Sequence, residues 1–171
     1  YRHLEINDVK KKLHYKSKKA KDTIIIDENV KILNPNVTIG ENVHLYNNTI
    51  IFGDGEIEIS DNVKIGFNSI IYASQNGGIK IGKNTIIAAN AYIIDTNHST
   101  KIGDNTYGND SDTSMPMIIG DSVWISAECV IAMGSVLKNG VIVGANSFVN
   151  KEFPENSIIA GSPAKIIKYR D

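Results

Sequence analysis

The 171-residue chain is poor in several residue types on which common folds depend. Its one cysteine, Cys129, excludes an internal disulfide framework and a cysteine-cluster zinc site, and it fits a reducing compartment or a chain indifferent to redox. One tryptophan, four prolines and 7% aromatic residues leave little for the aromatic core of a common β-sandwich. No apolar run reaches the roughly 18 residues of a membrane span, and no signal-peptide core is present. We therefore expect a cytoplasmic protein.

Charge is almost balanced over the whole chain, with 18 Lys+Arg, 19 Asp+Glu and a net charge of -1. This balance argues against a globally basic nucleic-acid binder. Residues 1–21 nevertheless carry eight basic and two acidic residues (+6), whereas the remainder carries ten and seventeen (-7). The basic stretch 10–21 fits a solvated cap, a contact to an anionic membrane or polysaccharide, or a contact to a neighbouring subunit. The cap is favoured, so peripheral membrane contact through 10–21 is possible but not the preferred interpretation.

What the chain does contain is typical of β-structure with many turns. It has 29 Ile and 11 Val against 5 Leu, together with 19 Asn and 14 Gly. β-Branched residues favour strands, and Asn and Gly favour turns that need positive φ.

The apolar residues repeat with a period of six, which is neither the helical 3.6 nor the strand alternation of two. The clearest series is Ile119, Ile125, Ile131, Leu137, Val143 and Val149. A hexapeptide period predicts a parallel β-helix, in which each hexad gives one short strand and a turn, and coils stack into a continuous core. The sequence predicts an all-β solenoid over 22–160, with a basic cap segment at 1–21 and a tail at 161–171.

Interruptions of this period mark the places where chain leaves the coil. The period slips at 53–57 and 74–79, where glycine-rich pieces are expected to bulge from corners. The largest interruption spans 94–118 and begins with Asp95-Thr96-Asn97-His98-Ser99. Long irregular insertions in compact folds are usually functional, so we expect the active residues here.

At this point the motifs resemble a known family. The hexads, the Asp-Thr-Asn-His loop, the run Ile-Gly-Asp-Ser-Val-Trp-Ile-Ser at 119–126 and the ending Ala-Gly-Ser-Pro-Ala-Lys at 160–165 are similar to the hexapeptide-repeat acyltransferases. The nearest subgroup looks like the galactoside, maltose, sialic-acid or capsular sugar O-acetyltransferases. The resemblance implies a left-handed coil of three hexads per turn, a protruding catalytic loop, acetyl-CoA as cosubstrate without a metal, and a homotrimer with active sites between subunits.

His98 is the candidate catalytic residue. Transfer of an acetyl group from a thioester to a hydroxyl needs a base for the hydroxyl proton, and imidazole suits that role near neutral pH. His98 also matches the catalytic histidine of the resembled family. The mechanism expected is direct transfer with backbone N–H groups stabilising the oxyanion. Asp95 would either orient His98 or cap a turn, and we prefer the turn.

Other candidate residues follow from the resemblance and from residue size. Trp124 follows an inward-facing residue and therefore lies outside the coil, where it would shape the acetyl and acceptor pocket or pack in a trimer interface. Asn68 and Asn90 could bind substrate, although a structural role at a corner is favoured. The candidate CoA-binding residues are Ser126, Ala127, Gly144, Ala145, Asn150, Lys151 and Lys165. The family pattern has a hydroxyl at the position of Ala127 and Arg at that of Lys165, although lysine still suits a phosphate.

Alternative functions stay open at this point. An amino-sugar N-acetyltransferase or an antibiotic acetyltransferase would use the same fold and cosubstrate, and a non-catalytic β-helix scaffold or binding module is the alternative of a different class. The histidines His3, His14, His44 and His98 show no ligand spacing, which argues against a catalytic zinc.

Overall fold

The computed structural model describes residues 13–104 and 112–171. These residues form a left-handed parallel β-helix with three faces, which confirms the predicted fold class. Each coil places one short strand on each face, and the strands of successive coils pair in parallel. We call the three sheets faces A, B and C in the order in which the chain visits them, and the corners between them AB, BC and CA.

The strands are mostly two to four residues long, because each hexad must also make its turn. Face A comprises β1 His14–Tyr15, β4 Val37–Ile39, β7 Ile57–Ile59, β10 Ile79–Ile81, β15 Met117–Ile119, β18 Val136–Leu137 and β21 Glu152–Phe153. Face B comprises β2 Ile25–Ile26, β5 His44–Leu45, β8 Lys64–Ile65, β11 Ile86–Ile87, β16 Trp124–Ile125, β19 Ile142–Val143, β22 Ser157–Gly161 and β23 Ala164–Tyr169. Face C comprises β3 Lys31–Ile32, β6 Ile50–Gly53, β9 Ile70–Ala73, β12 Tyr92–Ile94, β17 Val130–Ile131 and β20 Phe148–Val149. A separate hairpin joins β13 Thr96–Asn97 to β14 Thr113–Ser114.

The residues that repeat every six positions fill the interior. Columns of Ile, Val and Leu stack through the coils with almost no exposure, and the buried set forms one cluster. On face A, one such column is Ile39, Ile59, Ile81, Ile119, Leu137 and Phe153. Because every coil buries its apolar side against the next, stability depends on stacking rather than on any single coil.

Two corners carry columns of residues at positive φ, which explains the abundance of Asn. The BC column is Asn29, Asn48, Asn68, Asn90, Glu128 and Asn146, and the AB column is Asn42, Asn62, Asn84, Ser122, Gly140 and Asn156. Asn side chains in successive coils also hydrogen-bond one another, as from Asn48 Nδ2 to Asn68 Oδ1 at 3.0 Å. Asn tolerates the left-handed conformation better than other residues with a side chain, so it suits these corners.

The ends of the solenoid are covered by short elements. In the described part of the basic segment, β1 extends face A and helix α1, Lys18–Thr23, follows with Ser17 as its N-cap. Ala20 of α1 is fully buried, so this part does cover the first coil. Residues 1–12, including the first lysines of the basic stretch, lie outside the described residues. The segment 161–171, expected to be a tail, instead contains the whole of β23, which pairs antiparallel with β22 and covers its free edge.

Coil length varies only at corners. Pairing of Trp124 with Ile142 sets a coil of 18 residues, and pairing of Ile65 with Ile87 sets one of 22. The predicted slips near 53–57 and 74–79 are confirmed, and both lie at corner CA. Pairing of Ile87 with Ile125 spans 38 residues, because the long excursion also leaves from corner CA. This excursion covers 95–116 rather than 94–118, since Ile94 still belongs to β12 and Met117 begins β15; residues 105–111 lie outside the described part.

No helix in the described ranges is long and apolar enough to cross a membrane.

Candidate active site

The excursion at corner CA presents a histidine–aspartate pair. Thr96–Asn97 pairs antiparallel with Thr113–Ser114, and this short hairpin brings His98 beside Asp112. His98 Nδ1 lies 2.8 Å from Asp112 Oδ1. The His98 side chain is 69% exposed and that of Asp112 is 24% exposed, so the carboxylate is partly shielded while the ring faces outward.

The partner of His98 fixes the role of each ring nitrogen. An ionised carboxylate only accepts hydrogen bonds, so the proton of the neutral ring is on Nδ1, and Nδ1–H donates a hydrogen bond to Asp112. In the neutral ring, Nε2 is then left as the acceptor. The pair therefore presents a basic nitrogen on the exposed side of the loop, which is the arrangement that general-base catalysis requires.

Asp112 was missed by the sequence analysis. It lies 14 residues after His98, at the return of an excursion that has no apolar period. The only sign of it in the sequence is its position beside one strand of the hairpin. Asp112 directly precedes Thr113-Ser114, and these two residues pair with Thr96-Asn97, which directly precede His98. Recognising it would have required predicting a hairpin within a polar stretch.

Asp95 holds the base of the hairpin, in agreement with the preferred turn interpretation. Its carboxylate is fully buried. Oδ1 accepts a hydrogen bond from the Ser74 backbone N–H at 2.8 Å, and Oδ2 accepts one from Gly78 N–H at 2.6 Å. Gly77 must lack a side chain here, because an added Cβ would overlap Asp95 Oδ2. The Asp95 carboxylate thus joins the bulge at 74–79 to the start of the excursion.

A chain of hydroxyl groups links the same bulge to the hairpin. Ser74 Oγ donates to Ser114 Oγ at 2.7 Å, and Ser114 Oγ lies 3.3 Å from Thr96 Oγ1. Met115 N–H donates to the Asp95 carbonyl at 3.0 Å, which closes the two strands of the excursion. These bonds fix the hairpin, and with it the His98–Asp112 pair, to the rigid solenoid.

The other candidate residues divide between two corners. At corner BC lie Asn68, Asn90, Ser126, Ala127, Gly144, Ala145 and, paired with Ala160 at the last coil, Lys165. At corner CA lie Asn150 and Lys151, two coils beyond the excursion that carries His98. Face C separates the two corners in a single chain. The structure therefore brings most of the candidate CoA residues together, but it places them away from His98 of the same chain.

The residues at corner BC differ in character along the solenoid. Asn68 Nδ2 donates to Asn90 Oδ1 at 3.2 Å, so both belong to the corner ladder. Further along, the residues become small, and a Cβ on Gly144 would lie 2.9 Å from Ala160 Cβ. Ser126, Ala127 and Gly144 are partly exposed here, and Lys165, at the end of this part of the corner, is exposed.

Trp124 lies on the outer side of face B, between Ile86 and Ile142 of the neighbouring coils. Its side chain is half exposed, at 49%, as the sequence predicted for a residue outside the coil. Ile125 separates Trp124 from Ser126 and Ala127 at corner BC. Trp124 remains a candidate for contact with substrate or with another copy.

Cys129 lies inside the coil, and burial raises the pKa of its thiol. Its Sγ lies 3.2 Å from the Gly144 carbonyl oxygen. Since the thiolate is the nucleophilic form, this environment argues against catalysis by Cys129. No group of three or more His, Cys, Asp or Glu residues with the geometry of a metal site occurs among the described residues.

Comparisons with known proteins relate the chain to proteins built from hexapeptide repeats. The model of the family described as hexapeptide repeat of succinyl-transferase matches residues 57–94. WbbJ of Escherichia coli, provisionally assigned as a lipopolysaccharide biosynthesis O-acetyl transferase, is 39% identical over 124 residues, covering 68% of this chain and 62% of that protein. Galactoside O-acetyltransferase of the same organism is 30% identical over 131 residues, covering 77% of this chain and 63% of that protein.

The chain resembles the hexapeptide-repeat acyltransferases, as its sequence motifs predicted. It spans a little under two thirds of the length of these two relatives. Among solved structures, AntD, an N-acyltransferase from Bacillus cereus in complex with dTDP and 3-hydroxybutyryl-CoA, matches with a TM-score of 0.83 and 23% identity. The match covers 98% of this chain and 89% of that one, and it establishes the common fold.

Proposed function

We propose that the protein transfers an acetyl group from acetyl-CoA to a hydroxyl of a sugar or polysaccharide, with His98 as the general base. The observation that carries the proposal is the 2.8 Å hydrogen bond between His98 Nδ1 and Asp112, which leaves Nε2 on the exposed side of the loop without a partner among residues 13–104 and 112–171. The similarity to O-acetyltransferases that act in lipopolysaccharide biosynthesis and on galactosides supports the same class of acceptor.

The reaction requires one proton transfer and one bond exchange. Acetyl-CoA supplies an activated thioester carbonyl. As the acceptor oxygen attacks this carbonyl carbon, His98 Nε2 takes the hydroxyl proton, and Asp112 stabilises the imidazolium that forms. Collapse breaks the carbon–sulfur bond, and the proton held by His98 passes to the departing sulfur. No covalent enzyme intermediate is needed, in line with the burial of Cys129.

Corner BC fits an extended cosubstrate. Ser126, Ala127, Gly144 and Ala145 leave room for a pantetheine arm to lie against the backbone of successive coils. Lys165 lies at the end of this surface, where a phosphate would be neutralised by its charge. Asn150 and Lys151 would serve the same purpose from corner CA.

The division of candidate residues between two corners favours a site shared between copies of the chain. His98, Asn150 and Lys151 lie at corner CA, and the remaining candidates lie at corner BC or, for Trp124, on the outer side of face B. A closed ring of three copies would place corner CA of one copy against corner BC of the next. We therefore propose a homotrimer with three active sites, each made by two neighbours.

An acceptor panel tests the proposed reaction. The protein is incubated with acetyl-CoA and neutral sugars, nucleotide sugars, amino sugars and oligosaccharides, and release of CoA and the mass of the product are followed. The proposal expects an O-acetylated sugar or oligosaccharide. Acetylation of amino sugars at nitrogen only would replace it with N-acetyltransfer, the activity class of AntD. Absence of both CoA binding and turnover would favour a scaffold.

Mixed assemblies test the shared site. His98→Ala removes the base at corner CA, and Ala127→Trp blocks corner BC. Each variant alone should be inactive. The two variants are then refolded together in equal amounts. If copies assemble at random, about one quarter of the sites should combine a native corner CA from one copy with a native corner BC from the next. Recovery of about one quarter of the wild-type activity supports a shared site, whereas a mixture as inactive as its components contradicts it.

A further inference from the structure

Glu128 has the same left-handed backbone conformation as the other residues of its column at corner BC, all of which are Asn. Its φ is 60°, and the residues stacked with it at corner BC are Asn29, Asn48, Asn68, Asn90 and Asn146, all near the same φ. A long side chain in the left-handed region costs free energy that Asn reduces by bonding locally. Non-glycine residues held in such a conformation without a local benefit are found preferentially at functional positions.

Glu128 also ends the side-chain ladder of this corner. Asn48 donates to Asn68, and Asn68 donates to Asn90 Oδ1, but the next position holds a carboxylate. Within the described ranges, neither Asn90 Nδ2 nor the Glu128 carboxylate has a hydrogen-bond or ion-pair partner. Successive coils are about 4.8 Å apart, so a free amide donor and a free carboxylate face outward one coil apart.

The two groups lie among the candidate residues of corner BC. Asn90 belongs to the coil that leads into the excursion with His98, and Glu128 belongs to the coil that follows it. Ala127 precedes Glu128, and Trp124 lies on the outer side of face B, four residues before Glu128. Glu128 N–H is bonded to the Ala89 carbonyl at 3.0 Å, so the carboxylate projects from a fixed backbone.

We infer that Glu128, together with Asn90, binds the acceptor and determines its charge class: the site takes a neutral, hydroxyl-bearing sugar and rejects an acidic one. A carboxylate accepts hydrogen bonds from two adjacent sugar hydroxyls, while the Asn90 amide donates to a ring or hydroxyl oxygen. The same carboxylate repels a uronic or sialic acid, because like charges brought together in a shielded site are unfavourable. This inference rests on the proposed function.

The test substitution is Glu128→Asn, because it should raise the stability of the fold while it weakens binding of the acceptor. Asn suits the backbone and would extend the ladder between Asn90 and Asn146. The variant should therefore melt higher than the wild type, by about 2 °C or more. The KM for a neutral acceptor should nevertheless rise about tenfold or more, since a hydrogen bond to a charged group is lost. The KM for acetyl-CoA should stay within about twofold.

The matched control is Ser122→Asn. Ser122 holds φ 56° in the Asn column of corner AB, away from the candidate residues of corner BC. This variant should also melt higher, but with unchanged KM values for both substrates. Comparison of the two variants separates an effect on acceptor binding from a general effect of filling an Asn column.

The decisive readout is the ratio of kcat/KM for a neutral oligosaccharide to that for the matching uronic acid. The wild type should favour the neutral acceptor by more than about tenfold, and Glu128→Asn should bring the ratio close to one. An unchanged ratio and unchanged acceptor KM in Glu128→Asn, with active wild-type enzyme, would overturn the inference alone. A wild type that acetylates no sugar would overturn both it and the proposed function.

Discussion

Asp95→Asn tests whether one buried carboxylate fixes the excursion to the solenoid. In the native chain, the two oxygens accept from Ser74 and Gly78 N–H at 2.8 and 2.6 Å. An asparagine has one acceptor oxygen, so its NH₂ group would face a backbone N–H in a fully buried position. One donor loses its partner, and the other keeps only a neutral acceptor.

The expected magnitude follows from these two bonds. A hydrogen bond to a charged group contributes about 1.5–3 kcal/mol, and a buried donor without a partner costs about 1–3 kcal/mol. Loss of one bond and weakening of the other should therefore lower the free energy of unfolding by about 3 kcal/mol. For a chain of this size, that corresponds to a Tm lower by roughly 6–12 °C.

The matched control is Asp121→Asn. Asp121 Oδ1 also accepts a backbone N–H, that of Lys83 at 2.7 Å, but at an exposed corner where water replaces the lost acceptor. Its expected cost is about 1 kcal/mol or less. Thermal unfolding followed by circular dichroism compares the two, and amide exchange at Ser74 and Gly78 locates the effect. If Asp95→Asn is no more destabilising than Asp121→Asn, the proposed role of the buried carboxylate is wrong.

Three further predictions concern the pair, the cysteine and an acidic corner. Asp112→Asn should lower kcat about 10- to 100-fold while leaving the KM for acetyl-CoA unchanged, because only the orientation and charge stabilisation of His98 are lost. Steady-state kinetics measure both constants, and an unchanged kcat would remove Asp112 from the site. Cys129, whose pKa is raised by burial, should react with a thiol reagent only as fast as the protein unfolds, so rapid labelling of the folded protein would contradict its placement. The pKa of Asp61 is lowered, chiefly by the hydrogen bond from Glu41 N–H, below its ordinary value of 3.8. The ionised Asp61 therefore contributes to stability above that value, and this contribution is lost as the pH falls through the lowered pKa. Asp61→Asn should flatten the acid side of a curve of stability against pH. An unaltered slope would refute the assignment.

Much of the fold was predictable because its core repeats. The series Ile119 to Val149 fixes which residue of each hexad faces inward, and the interior columns follow directly. The slips near Gly53 and Ser74 mark the corners at which the structure inserts bulges. The final strand β23 was not predictable from this period, because its residues follow the antiparallel pairing with β22 rather than the stacking of coils.

The candidate site was predictable only in part. His98 was identified because a motif carries it, and Trp124 because it is adjacent to an inward position. Asp112 was missed, since its closeness to His98 depends on a hairpin within a polar stretch. The division between corners CA and BC could not be read from spacing alone either, because residues far apart along the chain share a corner only after the coils are stacked.

The most direct test of the account is the rate of acetyl transfer by His98→Ala at saturating acetyl-CoA and acceptor. A general base contributes about 10²- to 10⁴-fold, so kcat should fall by that factor while the Kd for CoA and the Tm remain those of the wild type. A His98→Ala variant that keeps near-normal kcat with the fold intact would contradict the assignment of His98 as the base.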